Sequence, residues 1–297
     1  MNRREFLRTT CGIAAASTFV TKTTSAPAGI PLAGEIGVTT GSFVKHLTVE
    51  PQEGKLRLID LPQLMREELD MRVIDLMTAT LASMEPDYLD KLRTAAERAG
   101  CVLTNLKMNQ PGIDMTSANE AERRRPLDEY KRAMNAAERL GCRWVRPLPG
   151  PKRPDMKVLA SSYRELIDYG ASRGISLLVE NYGWMKDDPD AIPEIIREVG
   201  KGLRSQPDTG NWTDAARYDG LSKAFPFAVS CDFKAFALEA DGTHKSYDLK
   251  RCFQLGWDAG FRGPWCIEHF HTDYRQLLRE MAFLRDRLRE WIGAAKK

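Results

Sequence analysis

Four acidic residues stand where an apolar run would be expected to end on something cheaper to bury. "LLVENYG" closes a run on Glu180, "QPDTGNW" sets Asp208 just past another, "AVSCDFKAF" carries Asp232 late in a third, and "GPWCIEHF" ends a fourth on Glu268. An ionised carboxylate is costly to remove from water. One such acid alone would signify a turn residue, a helix cap or a surface pair, because strand ends are rich in Asp. Four on successive runs signify a site. Carboxylates that converge in a cavity repel each other, and a divalent cation held by oxygen ligands neutralises them. Hard oxygen donors suit Mn²⁺ or Mg²⁺, with Mn²⁺ the first choice, and neighbouring imidazole would admit Zn²⁺. Glu180, Asp208, Asp232 and Glu268 are therefore the candidate ligands of one divalent cation.

Other residues fall near these four. Side chains alternate across a strand, so Val229, Cys231 and Phe233 form one apolar face of the third run, and Ser230, Asp232 and Lys234 share the other. Asn105 and Lys107 share a parity in "CVLTNLK" and become candidate wall residues; Lys107 could hold a substrate oxygen or pair with an acid. Asn181 and Asn211 belong to the acid-bearing segments themselves. Trp184 and Trp212 each follow an acid by four residues, where an aromatic face could stack on a sugar ring or simply anchor a loop. His46 and His271 lie beyond the first and last apolar runs, either reaching a substrate hydroxyl or facing solvent. His269 has the parity that points away from Glu268, and His244 sits beside a turn.

Such residues need a frame that brings distant segments together. Apolar runs at 36–40, 73–77, 101–107, 143–146, 175–180, 203–206, 228–233 and 265–269 alternate with helical patterns, several of which end in glycine, as in "PDYLDKLRTAAERAG" and "LDEYKRAMNAAERLG". Strand, helix, glycine and strand again describe β-α units on a parallel sheet. Eight of them, in a chain of 297 residues, suit a closed (β/α)8 TIM barrel in a single domain spanning residues 29–297. A doubly wound sheet is the competing arrangement, but no GxGxxG follows the first strand. In a barrel the loops at 108–119, 147–155 and 239–245 lie at the strand C-termini, where barrel enzymes keep their chemistry.

Residues 1–28 stand apart. Arg3 and Arg4 precede Phe6-Leu7, a weakly apolar stretch follows, and small residues lead to Ala28, so the segment resembles a twin-arginine export signal with Asn2 in place of the usual Ser or Thr. The expected destination is periplasmic or secreted, with no membrane attachment after signal removal. A net charge of +3, from 44 basic and 41 acidic residues, spread without a basic face, argues against nucleic acid as a partner. The cysteines beyond the leader lack CxxC spacing and are expected to be buried thiols.

"LLVENYG", "QPDTGNW", "YDGLSKAFPFAVSCDFKAF" and "GPWCIEHF", taken in order, resemble the sugar phosphate isomerase/epimerase superfamily of xylose isomerase-like TIM barrels over about residues 34–290. That resemblance implies one divalent ion bound through Glu180, Asp208 and Glu268. It places Asp232 where members carry a histidine, with Lys234 two residues on; either Asp232 is the fourth ligand, or Lys234 fills the gap and the metal is weakly held or lost. It also implies that Glu180 and Glu268 are paired acid/base groups, one removing the proton α to a carbonyl of a sugar or keto-sugar and the other returning it. A dehydratase or lyase on a related substrate begins with the same step, and a carbohydrate-binding barrel without metal or catalysis is a third alternative. A multi-zinc nuclease of the same fold would need more histidine than the four present. The sequence leaves a homo-oligomer open.

Overall fold

The computed structural model describes residues 31–109, 112–150 and 152–296. The expected export leader, residues 1–28, lies outside the described residues. Eight parallel strands carry the architecture: β1 (Ile36–Thr39), β2 (Val73–Met77), β3 (Val102–Met108), β4 (Trp144–Pro147), β5 (Ser176–Val179), β6 (Arg204–Ser205), β7 (Cys231–Ala235) and β8 (Trp265–His269). Each is followed by a helix: α1 (Leu61–Glu67), α2 (Pro86–Ala99), α3 (Glu120–Leu140), α4 (Met156–Ala171), α5 (Ala191–Val199), α6 (Arg217–Ala224), α7 (Leu249–Asp258) and α8 (Tyr274–Ala295). The ladder runs β6-β5-β4-β3-β2-β1-β8-β7. Its two ends meet through backbone bonds from Val229 N to Ser205 O (3.1 Å), Asp232 N to Pro207 O (2.9 Å) and Thr209 N to Asp232 O (3.0 Å). The expected eight-stranded α/β barrel is thus the observed one.

The helix-then-glycine signal has its expected cause. Gly100 and Gly141 follow α2 and α3 with φ of +68° and +77°, a left-handed conformation that costs a glycine little. α3 begins at Glu120, ahead of the pattern that starts at Leu127, and it runs through Pro126. Asn119 caps it by accepting a bond from Ala121 N, and Glu120 and Glu122 suit its positive end.

One strand is displaced from expectation. β7 was expected at 228–233 but spans Cys231–Ala235, because Phe225-Pro226-Phe227 forms a turn of 3-10 helix first. The strand also extends past Phe233, and its register with β8 sets Lys234 directly beside Glu268. The parity expectation holds all the same. Cys231 and Phe233 are wholly buried in the strand-helix layer, where Phe233 meets Trp265 and Trp291 edge-on at 5.9 and 6.3 Å. Burying an aromatic of that size contributes roughly 1.5–3 kcal/mol.

Inside the barrel the composition changes along the axis. Val73, Cys266 and Leu32, flanked by Val102 and Trp144, form a small apolar plug at the strand N-termini. Above it come buried polar side chains, among them Asp75, Asn105, Gln206 and Asp232. The five described cysteines beyond the leader are buried and unpaired, as expected.

Candidate active site at the barrel mouth

The acid-bearing segments converge. Glu180, Asp208 and Asp232 each offer a carboxylate oxygen within 4.8 Å of the others, and all three are buried. Glu180 comes one residue after β5, and the bonds between Asn181 Nδ2 and Asp208 O (3.0 Å) and between Asp208 N and Asn181 Oδ1 (2.8 Å) lock the two loops together. Asp208 Oδ1 accepts from Gly210 N at 2.7 Å and Asn211 N at 3.1 Å, the turn that its "DTGN" context encodes. Gly210 also has a steric role: a Cβ there would stand 2.5 Å from Lys234 Cδ, so the glycine opens the path by which Lys234 enters the mouth.

Protein cations meet each acid. Lys234 Nζ lies 2.9 Å from Asp208 Oδ2, 2.9 Å from Glu268 Oε1 and 2.9 Å from Asn211 Oδ1. Lys107 Nζ, wholly buried, lies 2.5 Å from Asp232 Oδ1, 2.9 Å from Thr39 Oγ1 and 3.8 Å from Glu268 Oε2. Arg146 Nη1 lies 2.8 Å from Glu180 Oε2, while Asn211 Nδ2 donates to Glu180 Oε1 at 2.9 Å. The expectation of four acids around one common point needs correcting in this respect. Three acids cluster, and Glu268 joins them across the Lys234 ammonium because β7 and β8 place Lys234 and Glu268 side by side.

The electrostatics divide the acids. Burial pushes Glu180 up to about 7, against the pull of Arg146. Burial likewise holds Asp232 well above the ordinary carboxylate range, against Lys107 and with the help of Glu268. Burial acts on Glu268 as well, but Lys234 and Lys107 outweigh it and keep this carboxyl below its usual value. Burial disfavours the charge on Lys107, Arg146 and Lys234, yet the surrounding acids prevail and raise all three. Three cations, Lys107, Arg146 and Lys234, thus face these four acids and a fifth, Asp75, buried beneath them, so acids outnumber cations at the mouth.

The remaining candidates are spread. Asn105 lies deeper, donating to Gln206 Oε1 at 2.8 Å. Trp212, open between stacking on a sugar and anchoring a loop, is only 3% exposed and packs on Gly220 of α6, as a loop anchor does. Trp184 is half-buried with the Arg153 guanidinium over its ring at 4.9 Å. His46 is buried, its Nε2 2.8 Å from the His271 carbonyl, and His271 Nδ1 accepts from Asp273 N at 2.9 Å. The His46 ring thus clips two loops together, while the His271 ring is partly exposed and bonds only within its own turn. His269 points outward to Ala235 O and Glu280, as its parity required.

Several participants escaped the sequence reading. Arg146 ends "RWVR" just as Glu180 ends its own run, a signal of the same kind. Asp75 interrupts "VIDLM", and Gln206 precedes the Pro-Asp pair; Gln206 Nε2 donates to Asp75 Oδ2 at 2.8 Å and Asp232 Oδ1 at 3.2 Å. Among the described residues, the exposed large apolar side chains Val44, Val49, Met84, Tyr182, Phe236 and Phe270 all lie in segments that follow barrel strands. Tyr182, Phe236 and Phe270 are thus exposed aromatics in loops that leave the strand C-termini, where Trp212 is not exposed.

An eight-stranded parallel barrel with ionisable groups gathered at its C-terminal mouth is the arrangement of barrel enzymes generally. The model of the xylose isomerase-like TIM barrel family matches residues 67–287, and the chain belongs to that family. No curated protein matches the sequence. Solved structures share the fold. The D-psicose 3-epimerase of Clostridium cellulolyticum H10, solved with D-tagatose, is 13% identical with a TM-score of 0.69, over 86% of this chain and 98% of that one. A xylose isomerase domain protein from Planctomyces limnophilus is 17% identical, TM-score 0.66, over 90% of this chain and 100% of that one. A xylose isomerase-like TIM barrel protein from Mycobacterium smegmatis, solved in complex with magnesium, is 18% identical, TM-score 0.64, over 88% and 97%.

The residues present fit a hard divalent cation. Glu180, Asp208 and Asp232 provide anionic oxygens at spacings that such an ion could span. Asp232 Oδ2 is buried and accepts no hydrogen bond, an orphaned acceptor that a cation would satisfy.

Proposed function

We propose that the protein is an isomerase or epimerase of a sugar or keto-sugar that works by removing a proton α to a carbonyl. The observation that carries this proposal is geometric: two carboxyls from different strands, Glu180 and Glu268, meet at one mouth, each fixed by a protein cation, with Arg146 Nη1 2.8 Å from Glu180 Oε2 and Lys234 Nζ 2.9 Å from Glu268 Oε1. Two carboxyls held at one site can act as base and acid in one reaction. Glu268, kept ionised by Lys234, is the base that takes the carbon-bound proton. Glu180 returns a proton to the opposite face or to the adjacent carbon. Lys107 and Lys234 donate hydrogen bonds to the developing enediolate oxygens, and the buried walls exclude water. Tyr182, Phe236 and Phe270 on the rim favour a ligand with an apolar face, as a sugar ring has.

Glu180, Asp208 and Asp232 would hold one divalent cation, with Mn²⁺ first and Mg²⁺ or Zn²⁺ as alternatives, and that ion supplies Lewis-acid polarisation of the substrate oxygens. The twin-arginine resemblance of residues 1–28 further suggests export to the periplasm or beyond, which favours a free or oxidised sugar over a phosphorylated one. The test is incubation with a panel of sugars and 3-keto-sugars in D₂O, monitoring solvent deuterium at carbon. Exchange by the wild type and its loss in Glu180→Gln and Glu268→Gln is the expected outcome. Exchange undiminished in both variants would refute the assignment of the bases. A panel that binds without exchanging would point to a carbohydrate-binding barrel.

A further inference from the structure

We propose that Lys234 is an internal competitor for the divalent cation, holding part of the cation's seat until the ion displaces it. This rests on the cation site formed by Glu180, Asp208 and Asp232 but not on the isomerase activity. Lys234 Nζ has three oxygen neighbours at 2.9 Å, from Asp208, Glu268 and Asn211. Asp208 is also one of the three acids whose oxygens fit an ion. The ammonium and the ion therefore draw on the same carboxylate.

The rest of the mouth supports the competition. Asp208 Oδ1 is already engaged by the backbone of Gly210 and Asn211, which leaves Oδ2, the oxygen that Lys234 occupies, as the one turned to the cavity. Lys107 sits differently. It reaches Asp232 Oδ1 and leaves Oδ2 of that residue without a hydrogen bond, so an ion could approach Asp232 with Lys107 in place. Lys234 is thus the cation that must move. Its side chain has room to do so: it enters over Gly210 and is the partly exposed lysine of the two, at 12% against 1% for Lys107. Once displaced, its ammonium remains beside Glu268, its neighbour in the strand ladder. The ligands are thereby neutralised in both states, which keeps the three buried acids of the cation site compatible with the fold before an ion arrives.

The experiment is direct titration of the purified protein with Mn²⁺, read by electron paramagnetic resonance of free Mn²⁺ and by calorimetry. Wild type, Lys234→Gln and Lys107→Gln are compared after thermal melts show all three folded. Both variants remove one positive charge from the cluster, so general attraction for Mn²⁺ rises in both. Competition for the seat predicts a gain in Lys234→Gln on the order of tenfold beyond that in Lys107→Gln. An equal gain in the two variants, or no Mn²⁺ binding by any of the three, overturns the proposal. Crystals of the wild type soaked in Mn²⁺ give a readout that needs no variant. An ion on Asp208 with Lys234 Nζ moved away supports the competition, and an ion bound with that contact intact overturns it.

Discussion

Arg146→Met tests whether the protonation of Glu180 is set by one buried partner. Arg146 is 2% exposed, and its Nη1 lies 2.8 Å from Glu180 Oε2. It is the strongest of the influences that oppose burial in holding Glu180 at about 7. An opposite charge at such range lowers a carboxyl by roughly 1–3 units, so its removal should carry Glu180 to roughly 8 or higher. The sign for stability follows. A carboxyl whose folded value exceeds its unfolded one binds its proton more tightly in the folded state, so stability is greatest below the unfolded value and falls as pH rises through the window between them. For wild type that window runs from 4.5 to about 7 and amounts to about 3 kcal/mol at 1.36 kcal/mol per unit. Asp232, also raised by burial, adds its own decline to both proteins, so the variant is read by the difference: its loss of stability relative to wild type should grow between pH 7 and 9. ¹³C NMR titration of the glutamate carboxyls gives the first measurement, and urea unfolding of both proteins at pH 5 to 9 gives the second. A Glu180 resonance that still titrates near 7 in the variant would show that Arg146 does not control this group.

Other outcomes follow from the same geometry. Lys107→Met leaves Asp232 buried beside an apolar chain and should cost about 3–5 kcal/mol in urea unfolding; the double variant with Asp232→Asn should recover much of that loss, and no recovery would sever the pair. Gly220→Ala would drive a Cβ to 2.7 Å from the Trp212 ring, a misfit expected to cost about 1–3 kcal/mol, visible as a lower melting temperature. A variant with both Arg3 and Arg4 replaced by Lys should accumulate in the cytoplasm with residues 1–28 attached, whereas exported wild type should begin at Gly29 by N-terminal sequencing; identical fates for the two would reject the export expectation.

The sequence by itself determined the frame. Period-two apolar runs, helical patterns closed by Gly100 and Gly141, and their eightfold alternation define a parallel barrel, because side-chain periodicity and turn chemistry are local properties. Parity within a run is local too, which is why it assigns Asp232 and Lys234 to the inner face and His269 to the outer one. The acids at strand ends were legible for the same reason, each being out of place in its own segment. Arg146 and Asp75 carried that signal equally and could have been found by it.

The partners were not legible. Which cation meets which acid depends on contacts across the barrel, between residues separated by 34 or more positions in the cases of Arg146 with Glu180 and Lys107 with Asp232, and alternation says that a side chain faces inward without saying what it faces. A turn at Phe225–Phe227 delays the start of β7, and the register of β7 against β8, a tertiary property, sets Lys234 beside Glu268. Trp212 went into the core and Tyr182 to the rim through the course of two loops, which the spacing from an acid could not foretell. Closure of the cylinder is what converts isolated charges at strand ends into a shared electrostatic problem, and only the folded chain settles how each charge is met.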